Sequence, residues 1–223
     1  MKKRPLCYSI RGMIELVAFL GNYGSEYAGT RHNAAWLFQE SLPYASRFSW
    51  TGKYRSEFCS VDWEQFVSWL PEGMSVPASV AAAAPKKLYF LKPLTYMNLS
   101  GEAIGEAARF FKVAPENILI VHDEIELPLG TVSLKWSGGL GGHNGLRSAK
   151  SVLGTADFWR LRFGVGKPQD GNVADYVLGS FSADERIILS QVFAQAAGLF
   201  SKILVSRDPQ RLIPEWGKKN CKA

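Results

Sequence analysis

The sequence predicts an α/β fold in a single domain. Three observations carry that reading. Apolar, β-rich runs alternate with segments of helical periodicity, the pattern of strands and helices layered in one sheet-based domain. The first run, Ile14–Leu20, is broken only by Glu15, as expected of a strand covered on both faces. The chain has 223 residues, with no internal repeat and no domain-scale linker, which fits one domain.

The elements follow in order. Ile14–Leu20 ends in the turn signal Gly21-Asn22-Tyr23-Gly24. Asn33–Leu42 has helical spacing and is closed by Pro43. Residues 52–70 predict two strands, Lys53–Val61 and Glu64–Leu70. Pro71–Pro85, with three prolines and an alanine run, predicts a mobile insertion (about residues 71–85) that carries no chemistry. Lys87–Leu91 is another strand. A helix runs through Lys112, with Ala103, Ala107, Phe110 and Phe111 at helical spacing, Ser100 as its N-cap and Glu102 in its first turn. Asn117–Val121 is a short apolar strand with His122-Asp123-Glu124 at its carboxyl end, where open α/β sheets bind ligands. Thr131–Trp136 alternates apolar and polar residues. Ser137–Gly145 is glycine-dense, and a helix follows to Leu153 with Gly154 as its C-terminal cap. Phe158–Val165 alternates again and puts Arg160 and Arg162 on one face. Val173–Leu178 reads as a short strand, and Ser182–Val205 as a long helix with Asp184 and Glu185 at its start. Residues 1–12 read as an N-terminal extension and 13–212 as the catalytic domain. Residues 213–223 form a basic tail whose end, Gly217–Ala223, is frayed. The extension begins with basic residues, but Arg11 and Gly12 interrupt the apolar stretch a signal peptide needs, and Met13 is an alternative start.

Composition narrows the class. At 47% hydrophobic and 21% charged residues, the chain is globular rather than disordered. No apolar run approaches the ~18–20 residues that span a bilayer, so no membrane partner is expected. Lys+Arg is 26 against Asp+Glu 20, a net charge of +6 that suits a polyanionic partner or plain surface chemistry. Cys7, Cys59 and Cys221 form no C-x-x-C pair, against a disulfide framework or cysteine-held zinc and in keeping with a reducing, cytoplasmic compartment. The metalloprotease H-E-x-x-H, the nucleophile-elbow G-x-S-x-G and the P-loop are absent, and Gly164–Gln169 lacks the third glycine of a dinucleotide fingerprint.

Several residues could carry chemistry, each with a plainer alternative. His32, between the first strand and helix, can take a proton from water near neutral pH or simply hydrogen-bond where the helix begins. Asp123 can orient and stabilise an imidazole, or cap a turn. His122, next to it, should face the opposite way and be structural. Asn22, Asn98 and Asn144 lie on loops or element edges, where an amide can bind a peptide group, steady an oxyanion or shape a turn. The glycine-dense loop ending at His143 lets backbone approach a ligand or is a flexible surface loop. Lys135, Arg160 and Arg162 could meet a phosphate or form a solvated strand face.

Five ordered blocks give these residues a context: Phe19–Asn33 (FLGNYGSEYAGTRHN), Lys92–Gly101 (KPLTYMNLSG), His122–Gly130 (HDEIELPLG), Gly141–Leu146 (GGHNGL) and Arg160–Pro168 (RLRFGVGKP). Together they resemble the signatures of bacterial-type peptidyl-tRNA hydrolases, over about Ile14 to Ile203. The resemblance implies a twisted mixed sheet flanked by helices, an architecture also similar to phosphorylases. It implies hydrolysis of the ester between an N-blocked peptide and the 3′ ribose of tRNA, which frees tRNA dropped by stalled ribosomes. It also implies a monomer that needs no metal or cofactor. By the same resemblance, His32 matches the base that activates water, Asp123 its orienting carboxylate, and Asn22 the residue that tells a blocked amino group from a free one. Tyr27, Tyr96, Asn98 and Asn144 match contacts to the tRNA end and the peptide. Lys135 and Arg162 match a clamp on the tRNA 5′ phosphate. The sequence departs from the family pattern at Tyr23, where proline is usual, at Ala35, where glycine is common, and at Leu140, where a polar residue is common. Two other readings compete: a non-catalytic RNA-binding module on this fold, and a small-molecule hydrolase or nucleosidase.

Overall fold

A computed structural model describes residues 12–168 and 171–221. The N-terminal extension before Gly12, Gln169 at the end of the late glycine segment, and the last two residues of the tail lie outside the described residues. The strands are β1 (Leu16–Phe19), β2 (Thr51–Lys53), β3 (Ser56–Asp62), β4 (Lys87–Pro93), β5 (Ile118–Glu124), β6 (Thr131–Trp136), β7 (Trp159–Gly164) and β8 (Lys219–Asn220). The helices are α1 (Ala34–Ser41), α2 (Trp63–Val67), α3 (Ala78–Ala81), α4 (Ser100–Phe111), α5 (Asn144–Leu153), α6 (Val173–Leu178), α7 (Ala183–Leu204) and α8 (Ile213–Trp216).

One eight-stranded sheet runs β2-β3-β4-β1-β5-β7-β6-β8. The centre is parallel, with β1 between β4 and β5, and β5 beside β7. The remaining pairings are antiparallel, so the sheet is mixed. Alternation along each strand supplies a core to each face. Val17, Phe19, Leu119, Val121, Leu161 and Phe163 meet α1 and α7. Leu16, Ala18, Ile118 and Ile120 meet α4 and α5. The first core is ring-rich: Phe38 lies 4.8 Å from Phe163 and 5.6 Å from both Phe193 and Phe200. The predicted α/β architecture is therefore present, as a three-layer sandwich.

Several local expectations need correction. Glu64–Leu70 is not a strand. Trp63 and Phe66 are buried three residues apart on α2, a helical spacing that places both against the first core. Val173–Leu178 is a helix because the Asn172 side chain accepts from the backbone N–H groups of Ala174 and Asp175, capping its first turn. Ser100 is the first residue of α4, not its cap, and its hydroxyl donates to the Met97 carbonyl at 2.9 Å. The Asn117–Val121 strand continues through Glu124, buried along its whole length. Pro71–Pro85 is not uniformly loop: it contains α3 and faces residues 202–212 across an open groove of about 1180 Å³. The basic tail is not frayed through Cys221, since β8 pairs with β6 and the Cys221 N–H donates to the Gly130 carbonyl at 2.7 Å.

Helix α7 starts with a capping box. Ser182 accepts from the Glu185 N–H, and the Glu185 carboxylate accepts from the Ser182 N–H. By length and composition α7 could cross a membrane, against the expectation that no stretch approaches that size. Its scattered Ser and Gln residues hide this in a search for unbroken apolar runs. The apolar face, including Leu189, Val192, Phe193, Ala196 and Phe200, is buried against the sheet.

Candidate active site

Asp123 sits one residue before the end of β5, with 1% of its surface exposed. Its Oδ1 lies 2.8 Å from His32 Nδ1 and 3.0 Å from His143 Nε2. The two histidines reach this oxygen from opposite layers. His32 belongs to a 3-10 turn, Arg31–Asn33, that leads into α1. His143 is the N-cap of α5 on the other face.

The hydrogen bonds fix both tautomers. His143 Nδ1 accepts from the backbone N–H groups of Gly145 (3.1 Å) and Leu146 (3.4 Å). Its ring proton is therefore on Nε2 and is donated to Asp123. His32 donates from Nδ1 to the same carboxylate, which leaves the lone pair on Nε2. Burial opposes a protonated His32, but the Asp123 charge and hydrogen bond outweigh it and raise the ring's pKa above its ordinary 6.5. Burial would raise the Asp123 pKa. The two histidines more than reverse that and hold the carboxyl well below its usual range. His122 faces away and is fully buried. Burial and the nearby His143 push its pKa far below the usual value, so it stays neutral.

The His32, Asp123 and His143 ligand atoms lie within 4.8 Å of one another, close enough to hold a metal ion. The His143 hydrogen bonds do not fit one. A metal on Nε2 would move the ring proton to Nδ1, against the two N–H groups that Nδ1 caps.

Neighbouring residues hold the turn that carries His32. Arg31 forms a bidentate pair with Glu185, at 2.9 Å to each oxygen, and donates to the Gly179 and Ser180 carbonyls. The capping box of α7 thus also anchors the residue before His32. Asn33 accepts from the Asn22 N–H at 2.8 Å and donates to the Asn22 carbonyl at 2.9 Å. Asn22 Oδ1 in turn accepts from the Met97 N–H at 2.8 Å, tying two of the sequence blocks together. Gly145 permits the convergence: a Cβ there would lie 2.6 Å from Met97 Sδ, 2.8 Å from Leu20 and 3.1 Å from the His143 ring.

A cleft of about 370 Å³ opens beside this cluster, lined by His32, Asp123, Glu124, His143, Asn144, Arg147 and the α6 residues Val173, Ala174 and Val177, among others. Of the residues singled out in the sequence, His32, Asp123 and Asn144 line it, with Gly141, Gly142 and His143 at the end of the glycine-dense loop. Asn22, Tyr27, Tyr96, Asn98, Lys135 and Arg162 do not. Asn22 is buried one hydrogen bond from Met97. Asn98 is exposed on the turn Met97–Leu99, and Tyr27 is half-buried. Exposed Tyr96 lies against Tyr23, with ring centres 5.6 Å apart. Lys135 and Arg162 share a sheet face, since Ser133 pairs with Arg162 and Lys135 with Arg160. Arg160 on that face is committed elsewhere: it is 1% exposed and donates to the Gly138 and Gly139 carbonyls, holding the glycine-dense loop.

Sequence reasoning missed His143, Asn33 and Glu124. The signal for His143 is its place in Gly141–Leu146 just before a helix, where a side-chain acceptor can cap. Asn33 directly follows His32, and an amide has the donor and acceptor needed to pair with a peptide unit.

Comparison with known proteins adds a family. A sequence profile described as peptidyl-tRNA hydrolase matches residues 16–222. A peptidyl-tRNA hydrolase from Treponema pallidum (strain Nichols) is 43% identical over 210 residues, 92% of this chain and 96% of that one. One from Halorhodospira halophila (strain DSM 244 / SL1) is 43% identical over 196 residues, 86% and 91% of the two chains. The crystal structure of peptidyl-tRNA hydrolase from Acinetobacter baumannii superposes with a TM-score of 0.72 at 31% identity, covering 91% of each chain.

Proposed function

The chain belongs to the peptidyl-tRNA hydrolase family, and from that premise we propose that it cleaves the ester between an N-blocked peptide and the 3′ ribose of tRNA, with His32 as the base. The observation that carries this reading is the Asp123 carboxylate, which accepts from His32 Nδ1 beside an open cleft. His32 Nε2 removes a proton from water as the water oxygen bonds to the ester carbonyl carbon. Asp123 stabilises the imidazolium that forms. The intermediate collapses, the bond to the ribose oxygen breaks, and the His32 proton passes to that oxygen. Free tRNA and a peptide acid result.

The remaining roles belong to the same proposal. Asn22, its Oδ1 occupied by Met97, has its NH₂ group to offer a blocked amino end or the developing oxyanion. Asn98, Asn144, Tyr27 and Tyr96 contact the tRNA end and the peptide. Lys135 and Arg162 bind the tRNA 5′ phosphate. The same proposal has the chain act as a monomer. The two described cysteines, Cys59 and Cys221, are buried free thiols, which supports a reducing cytoplasm.

The test is tRNA release from an N-acetylated aminoacyl-tRNA and from the same tRNA with a free amino group. The wild type should cleave only the blocked ester, and His32→Ala should lose about 10²–10⁴-fold in kcat. Salt-sensitive tRNA binding without cleavage would favour the RNA-binding module instead.

A further inference from the structure

Glu124 joins the cleft to the cationic strand face. Its carboxylate is 3.3 Å from Arg162 Nη1, accepts from the Glu126 N–H at 3.2 Å and lines the cleft beside Asp123. Glu124 is 8% exposed, and the Arg162 side chain 14%. Three cations crowd this face. Lys135 and Arg160 are held below their ordinary pKa values, first by burial and then by neighbouring cations, and Glu124 is the anion that opposes the shift in both. Arg162 has a second anchor besides Glu124: its Nη2 donates to Ser133 Oγ at 2.7 Å.

Building on the reading of Lys135 and Arg162 as a phosphate clamp, we propose that Glu124 is the resident counter-anion of that clamp: it occupies Arg162 when no RNA is bound and weakens the grip on an incoming phosphate. A phosphate at Arg162 must displace one buried carboxylate contact for another anionic one, so the clamp's net gain is small. The chemistry this suits is turnover. The tRNA product retains its 5′ phosphate, and a clamp without a competing carboxylate would release it slowly.

The experiment measures the affinity of uncharged tRNA carrying a 5′ phosphate, and of the same tRNA with a 5′ hydroxyl, for wild type, Glu124→Gln and Ser133→Ala across salt concentrations. Glu124→Gln should bind the 5′-phosphate tRNA about three- to tenfold more tightly at low salt. The gain should shrink as salt rises, and it should be smaller for the 5′-hydroxyl tRNA. Ser133→Ala, which removes support but no charge, should not tighten binding. If Glu124→Gln binds the 5′-phosphate tRNA no better than wild type, or more weakly, Glu124 merely positions Arg162 and the proposal falls. A wild type indifferent to the 5′ phosphate would remove the clamp itself, and the proposal with it. Should the glutamine variant not fold, Glu124→Asp carries the test: it draws the charge back from Arg162, and a smaller tightening is expected where weaker binding would refute.

Discussion

Asp123 holds two imidazoles on one oxygen, so replacing it by asparagine keeps an acceptor oxygen but removes the charge. The wild-type rate should rise with pH through the raised His32 pKa, because only the neutral ring accepts a proton, and its acid limb should lie above pH 6.5. In Asp123→Asn the carboxylate no longer favours the protonated ring. The limb should then move to lower pH, with kcat reduced by roughly 10²–10⁴-fold. A pH profile of kcat/KM on N-acetylated aminoacyl-tRNA checks both, and an unmoved limb would separate Asp123 from the base. At this scale much was legible. Strand alternation alone placed Asp123 and His122 on opposite faces. The second imidazole on Asp123 was not, because His143 reaches Oδ1 from the far layer, across a sheet order that local spacing does not encode. The Glu124–Arg162 pair was hidden for the same reason: it depends on β5 and β7 being neighbours.

Helices α4 and α5 meet through small residues, and their separation sets where His143 stands. A Cβ at Gly101 would lie 2.2 Å from the Ser148 carbonyl oxygen, and one at Gly105 would lie 2.3 Å from Val152 Cγ1. Gly101→Ala should therefore push the helices apart, costing roughly 1–3 kcal/mol. Thermal melting measures that loss, and kcat should drop with it because α5 carries its N-cap histidine along. Ser182→Ala breaks the capping box of α7 and should cost about 0.5–2 kcal/mol in denaturant titration. The long helices and central strands were readable from their periods. Glu64–Leu70 and Val173–Leu178 were not, because in segments that short the strand and helix periods fit equally well and the outcome rests on a cap such as Asn172. β8 has only two residues, too few for any pattern, and forms because β6 offers it an edge.

For the molecule as a whole, the net charge of +6 makes RNA affinity a function of ionic strength. Replacing Lys135 with glutamine should reduce the slope of log affinity against log salt by about 0.7–0.9, and an unchanged slope would take Lys135 out of the phosphate contact. The alternation of strands and helices announced the α/β class, but no composition or period could order the sheet. The position of β1 is the clearest case. Leu16 pairs with Tyr89 on one side and Ile118 on the other, so the earliest strand lies between two that are synthesised much later. The timing of assembly follows from that arrangement. A nascent chain must keep the apolar run Leu16–Phe19 unpaired until residues 87–93 exist and one of its edges open until residues 118–124 follow, and refolding must close both long loops before the centre gains all its hydrogen bonds. The protein should accordingly fold on the slow, millisecond-to-second side of single-domain kinetics, and during synthesis its first strand is a natural client for a chaperone.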